Sequence, residues 1–268
     1  MNKLEIYCVT NKKIDVIENL NYNIGWVGKD VVPKNYLRCN NKKNIYYKEK
    51  YYSELTFHYW YWKNLLNLKN TNWVGFCQKR RYWLKKDLSN NEVNKNNIKD
   101  NLLIEPSIEW DGYESIICNP INVNQVKKIK MLKRGLRSIL KNPEIFFNEN
   151  KQSLNFHFDM HHGYGNLHKA IDLIDKEDRD EFFKFVNNSV SYNPHIMFIA
   201  KSEILDKWFS TLFPWLFRCE KTFGFDRLKN YDTERLYAYL AERYLSFWFN
   251  KHTKALNWPW TFFDASEQ

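Results

Sequence analysis

Residues 51–83 read YYSELTFHYWYWKNLLNLKNTNWVGFCQKRRYW, and this stretch limits the possible folds more than any other. Leu55, Tyr59, Trp62 and Leu66 recur at helical spacing, which predicts a helix with one core face, N-capped by Ser53. A turn at 69–72 follows, and then 73–77 predicts a buried strand that delivers Lys79, Arg80 and Arg81 to its C-terminal end. A helix start beside a strand ending in two arginines suits a phosphorylated ligand, because backbone N–H groups and guanidinium groups both donate to phosphate oxygens. An isolated Arg-Arg pair also fits ordinary surface ion pairing.

The rest of the chain predicts an α/β fold. Residues 4–9 alternate and form the expected first strand, and Thr10 and Asn11 in the loop leaving it are candidates for nucleotide contact, since loops after strands line the ligand crevice of α/β sheets. Further short strands are expected at 24–27, 115–118 and 196–200. Residues 85–100 are polar and without periodicity and predict an exposed loop. Helices are expected at 127–140, 172–185, 202–223 and 233–250. The helix at 127–140 is basic on most sides, with Ile129, Leu132, Leu136, Ile139 and Leu140 as an apolar stripe, a pattern that fits either a solvated face or an anionic bilayer surface. Buried strands separated by helices argue for a mixed sheet flanked by helices. With no evident linker in 268 residues, a single domain is expected.

Composition narrows the classes. Aromatic residues make up 18% while Gly and Pro are scarce, which excludes a disordered or fibrous chain. The net charge of +10 is built from Lys diluted with Asn, weaker support for a nucleic-acid partner than clustered Arg. A nucleic-acid-binding protein is an alternative that needs basic and aromatic residues in one exposed groove, whereas the aromatics here sit at core spacing. Five widely spaced cysteines without a Cys-x-x-Cys pair predict free thiols in a reducing compartment. No leader and no run of membrane-spanning length are evident, so a cytoplasmic location is expected, with peripheral contact to the inner face of a membrane as the open question.

Two clusters carry further chemistry. In NFHFDMHHGYGNLH, His157, Asp159 and His161 alternate as they would on one face of a strand, a possible transition-metal site and the basis of an alternative reading as a metal-dependent hydrolase. In TERLYAYLAERYLSFWFN, apolar residues cover nearly the whole helix, yet Glu242 and Arg243 sit in its middle. Buried charges need partners or a job: an ion pair is one answer, and a carboxylate base for a sugar hydroxyl is the other. No phosphate loop, dinucleotide fingerprint, nucleophile elbow or Asp-x-Asp after a strand is present.

Taken together, YYSELTFHYWYWKN, WVGFCQKRRYW, NPHIMFIAK and YLAERYLSFWF resemble a bacterial family once filed as a domain of unknown function and associated with capsule, lipopolysaccharide and O-antigen synthesis. Its members look like GT-A type glycosyltransferases, some with galactofuranosyl transfer from a UDP-sugar. The resemblance covers nearly the whole chain. It implies a GT-A-like mixed sheet with a helical C-terminal part, and a transferase acting on a nucleotide-sugar donor and a glycan or lipid-linked acceptor. The family motifs fall on Tyr52, Ser53, Glu54, Leu55 and Thr56, on Tyr59, Trp60, Trp62, Lys63 and Asn64, on Gly75, Cys77, Arg80, Arg81 and Tyr82, and on Ala241, Glu242 and Arg243. The donor-site candidates are thus Thr10, Asn11, Tyr52, Glu54, Trp60, Lys63, Lys79, Arg80 and Arg81, with His161, His162, Asn193 and Arg243 as candidates toward the acceptor. Glu242 is the first choice of catalytic base and Asp159 the second. The chain departs from the family where Gln78-Lys79 replaces His-Tyr, where Asn166 replaces Asp, and where Ile196 replaces Asn. These departures bear on substrate preference, and a non-catalytic scaffold is a further alternative. Because Gln-Lys-Arg-Arg stands where an Asp-x-Asp would hold a metal, no cofactor is the first expectation, with Mn2+ or Mg2+ as the alternative.

Overall fold

A computed structural model describes residues 3–17, 20–88 and 92–264. The strands are β1 (Leu4–Thr10), β2 (Tyr22–Trp26), β3 (Leu37–Arg38), β4 (Trp73–Gln78), β5 (Arg81–Trp83), β6 (Ser115–Cys118), β7 (Ile121–Asn122), β8 (Ser191–Tyr192), β9 (Phe198–Lys201), β10 (Ala255–Trp258) and β11 (Trp260–Phe262). The helices are α1 (Glu49–Tyr52), α2 (Leu55–Asn64), α3 (Ile98–Asn101), α4 (Lys128–Arg134), α5 (Leu136–Lys141), α6 (Glu144–Phe147), α7 (Leu154–His162), α8 (Asn166–Ile171), α9 (Lys176–Asn188), α10 (Ser202–Phe223), α11 (Tyr231–Glu234) and α12 (Leu236–His252).

These elements form two compact units: residues 1–119, 195–210 and 248–268 in the first, and 120–194 and 211–247 in the second. Each is assembled from separated segments, so the chain passes between them inside α10 and α12 as well as at 119 and 194, and no linker composition marks the passages.

The first unit holds the main sheet, in the order β10-β6-β9-β4-β1-β2-β3, with β5 and β11 added beyond β4. Along that path only β9 runs against the others, so the sheet is mixed and mostly parallel, as the α/β reading expected. Both faces are covered. Leu4, Ile6 and Cys8 of β1 join Ile24, Cys77, Ile116 and Ile199 on one side, while Tyr7 turns to the other and packs on Phe57, Tyr61 and Phe76. This two-sided burial is why the strands read as continuous apolar runs. The topology matters for function: β1, β2 and β3 step outward in one direction, and the chain then returns through α2 to place β4 on the opposite side of β1. A crevice opens at such a switch point, outside the C-terminal ends of the two strands.

Several expectations change at this level. Ser53 is not a side-chain cap. Its backbone N–H closes α1 by donating to Glu49 at 2.7 Å, it takes a positive φ of 50°, and its carbonyl accepts from Thr56 at the start of α2. Glu54 holds the N-cap position without a capping bond, its carboxylate being engaged elsewhere. The strand after Lys79-Arg80 was not foreseen: β4 folds back into β5 through a two-residue turn, pairing Gln78 with Arg81. Residues 85–100 include the start of α3, while residues 89–91 of that tract lie outside the described residues.

The second unit is mostly helical, with β7 and β8 as a short antiparallel pair. The HFDMH segment lies on α7, not on a strand. Ser153 caps it by accepting from Phe156, and one hundred degrees per residue sends His157 and His161 to one side and Asp159 to another. The 127–140 helix breaks at Gly135 into α4 and α5, and the glycine lets the Phe156 ring approach closely, since a Cβ there would sit 2.7 Å from it. The expected 233–250 helix separates into α11 and α12.

Candidate functional site

Four of the residues proposed from sequence come together at the switch point of the first unit. Thr10 ends β1, buried, with its hydroxyl donating to the Lys12 carbonyl at 2.6 Å and accepting from the Lys12 N–H. This local loop turns Asn11 toward β4, where its Oδ1 accepts from Lys79 Nζ at 2.6 Å. Lys79 is tied to β1 a second time, through its backbone N–H to the Val9 carbonyl. Glu54 accepts a short hydrogen bond from Gln78 at the end of β4. Gln78 is one of the departures from the family pattern, so the altered residue is bonded directly to the motif glutamate. The helix start expected to receive phosphate therefore carries its own carboxylate. Positive charge at this edge is gathered in Lys79, Arg80 and Arg81 of the β4–β5 turn.

Gly28, which the sequence reading passed over, completes this edge. It follows β2, and a Cβ at that position would lie 2.5 Å from the Trp26 ring and 2.9 Å from the Asn11 carbonyl, so only glycine permits this close approach. Its carbonyl accepts from the Tyr46 hydroxyl at 2.5 Å.

Arg80 and Arg81 both lie beside the Phe262 ring, at 5.9 and 5.6 Å. Arg80 pairs with Asp264 at 3.4 Å, and its Nε is buried without a hydrogen-bond partner. Arg81 donates from Nε to His195 Nε2 at 3.0 Å, and no carboxylate among the described residues pairs with it. His195 stands edge-on to Trp260 and precedes β9, whose antiparallel course brings its start to the C-terminal end of β4. Nothing in the sequence marked His195 except its place directly after Asn193-Pro194 and before an apolar strand. Phe262 ends the unforeseen strand β11, and Asp264 follows it by two residues.

The other donor candidates lie elsewhere. Tyr52, the last residue of α1, is fully buried, with Lys48 Nζ 5.6 Å from its ring. Trp60 is core, packed on Phe57, with its indole N–H donating to Asn41. Lys63 sits nine residues past Glu54, about 13 Å farther along α2 at 1.5 Å per residue, toward the opposite end of β4. It lies over the Trp62 ring, and its pKa is lowered by desolvation and then by Lys43.

In the second unit, Arg243 is buried, only 1% exposed. Its Nη1 pairs with Glu242 at 2.9 Å, its Nη2 donates to His157 Nδ1 at 3.1 Å, and its guanidinium lies 3.9 Å from the Tyr192 ring centre. Glu242 retains an exposed side-chain edge of 14%. Burial first, and then the Arg243 charge, pulls His157 down to about 2 and His162 to about 3. His162 is stacked on Tyr239 at 3.7 Å and hydrogen-bonded to the Asp232 carbonyl. His161 falls to about 4 by burial and then Lys130, and it meets Arg134 at 3.1 Å. Asp159 accepts from the Gly165 N–H at 2.8 Å and from Ser138 at 3.2 Å, and burial raises its pKa. Asn193 exchanges two hydrogen bonds with Ser246 of α12 and serves to fix the chain before Pro194.

The strand geometry behind the metal-hydrolase alternative is thus absent, and among the described residues no group of three or more His, Cys, Asp or Glu is placed to hold a metal ion. At the β4 edge the turn is cationic, and two nearby carboxylates are engaged, Glu54 by Gln78 and Asp264 by Arg80. Among the described residues no helix is long and apolar enough to cross a membrane.

A family model described as "Domain of unknown function (DUF4422)" matches residues 5–254. The chain belongs to this family. The match takes in every strand at the switch point and both helices that run through the two units. No curated protein matches. Among solved structures, the family fold is similar to the apo structure of the bifunctional glycosyltransferase WbbM, with a TM-score of 0.68 and 17% identity over 98% of this chain. The chain spans 45% of that protein's length. This likeness establishes a glycosyltransferase-like fold.

Proposed function

We propose that this chain is a glycosyltransferase that takes a sugar from a UDP-sugar, galactofuranose or another hexose, to a glycan or lipid-linked acceptor in the synthesis of lipopolysaccharide or capsule. The observation that carries the reading is the switch point: Asn11 after β1 and the Lys79-Arg80-Arg81 turn after β4 meet where a mostly parallel sheet opens its crevice. The glycosyltransferase-like fold and the family resemblance support it. When the sugar–oxygen bond breaks, negative charge grows on the departing diphosphate, and preorganised guanidinium and ammonium groups stabilise that charge more than they stabilise the bound donor. Arg81, with no carboxylate paired to it among the described residues, is the strongest candidate for this work, and Lys79 and Arg80 assist. The acceptor hydroxyl attacks the anomeric carbon opposite the diphosphate, which inverts the configuration there. Its proton passes to a carboxylate base, the role that the family motif gives first to Glu242, with Asp159 as the second candidate.

A thermal-shift screen of UDP-, GDP- and CMP-sugars, with and without manganese, tests the reading. The expected result is a rise in melting temperature specific to UDP-sugars that does not need manganese. No response to any nucleotide-sugar would overturn it.

A further inference from the structure

We propose that α4, α5 and α6 of the second unit form an interfacial face that binds the surface of an anionic lipid bilayer. A helix at a protein surface normally turns its apolar stripe inward. Here the inward side is narrow, carried by Met131, Gly135 and Ser138 with Ile139 half-buried, and the rest of the apolar stripe faces out. Ile129 is 70% exposed, Leu132 50%, Leu136 49% and Leu140 73%, at intervals of three, four and four residues across the Gly135 break. Phe147 of α6 adds an aromatic ring that is 80% exposed. Large contiguous apolar surface of this kind marks an interaction site.

The charges around the stripe select the occupant. Lys127, Lys128, Lys130, Lys133, Arg134, Arg137 and Lys141 flank it, and no acidic residue occurs between 127 and 143. Of the acidic groups nearby, Asp232 is paired with Arg134 at 2.9 Å, Glu144 with Lys151 at 3.6 Å, and Asp159 bonds Ser138 and acts on Lys141, which leaves Lys127, Lys128, Lys130 and Lys133 without an ion pair among the described residues. Aliphatic side chains can enter the headgroup–acyl boundary while the long Lys and Arg stems carry their charges back to lipid phosphates. A nucleic acid would satisfy the cations and leave the aliphatic stripe in water. An apolar protein partner would desolvate the cations without compensation. An anionic bilayer accommodates both.

Co-sedimentation of the full chain with vesicles of phosphatidylcholine alone, or mixed with phosphatidylglycerol, decides the matter. Binding at low salt is expected only with the anionic vesicles. Lys128→Gln/Lys130→Gln/Lys133→Gln should lower the partition coefficient about a hundredfold, from roughly fivefold per basic residue near such a surface. Leu132→Ser/Leu136→Ser/Leu140→Ser should lower it about tenfold or more. All six side chains are exposed, so melting temperatures should stay near the parent value, and if the apolar variant fails to fold the charge variant decides alone. Equal binding to neutral vesicles, no binding to either, or self-association abolished by the apolar variant would each overturn the proposal. Nucleotide binding is not read in this experiment, so its failure leaves the transferase reading standing.

Discussion

Arg80 and Arg81 adjoin in sequence but meet different surroundings, and the difference ranks them. Arg80 is held by Asp264, whereas Arg81 is steered by His195 Nε2 and has no carboxylate paired to it among the described residues. His157 and His195 each accept from an arginine, but Arg243 is also paired with Glu242, whereas no carboxylate among the described residues pairs with Arg81. His58 shows the reverse situation. It is buried among Phe76, Phe198 and Phe209, its Nδ1 has no hydrogen-bond partner, and desolvation drives its pKa from 6.5 to about 3. Below pH 6.5 the unfolded chain takes up a proton that the folded chain refuses until near pH 3. Stability is therefore full above pH 6.5 and falls through that window. The loss attributable to this residue by pH 5 is roughly 2 kcal/mol, at 1.36 kcal/mol per pH unit. His58→Leu should thus shrink the drop in melting temperature between pH 7 and pH 5 by about 5 °C. Parallel pH profiles for variant and parent would contradict this.

Among the elements, those with strong local signals were readable from the residues and those defined by long-range pairing were not. The 115–118 strand and the 202–223 helix have the bounds their patterns predict. The β4–β5 hairpin escaped notice because its turn, Lys79-Arg80, contains none of the Gly or Asn that tight turns favour, and β5 is held by β11 from the far end of the chain. HFDMH alternates like a strand but has the Ser153 cap of a helix, and cap and tertiary packing override alternation. At the candidate site, the charged turn and the loop after β1 were legible from composition and order. Lys63 and Trp60 were not separable from the site, because a motif printed on one helix does not say that the helix leads away from the strand end. Close packing of α2 on β2 depends on Gly25, where a Cβ would meet the Phe57 ring at 2.5 Å. Gly25→Ala should destabilise the chain by about 1–3 kcal/mol through overpacking. An unchanged denaturation midpoint would show that Phe57 moves freely.

At the scale of the whole chain, the charge of +10 separates into places with different work. One group of cations lies in the turn that ends β4, and another flanks the exposed stripe of α4 and α5. The aromatic excess that admitted a nucleic-acid reading is mostly core, since Trp26, Trp60, Trp73, Trp83, Trp110, Trp208, Trp215, Trp248 and Trp258 are all buried. The claim on which the functional account rests is that the β4–β5 turn holds a nucleoside diphosphate. Calorimetric titration of UDP and of uridine into the parent chain and Arg81→Ala, in chelator-treated buffer, tests it most directly. The account predicts that UDP binds the parent without added metal, that the variant loses about tenfold to a hundredfold in affinity, as expected for one charge-assisted hydrogen-bonding group, and that uridine does not distinguish the two. UDP binding of equal strength to both proteins, or to neither, would contradict it.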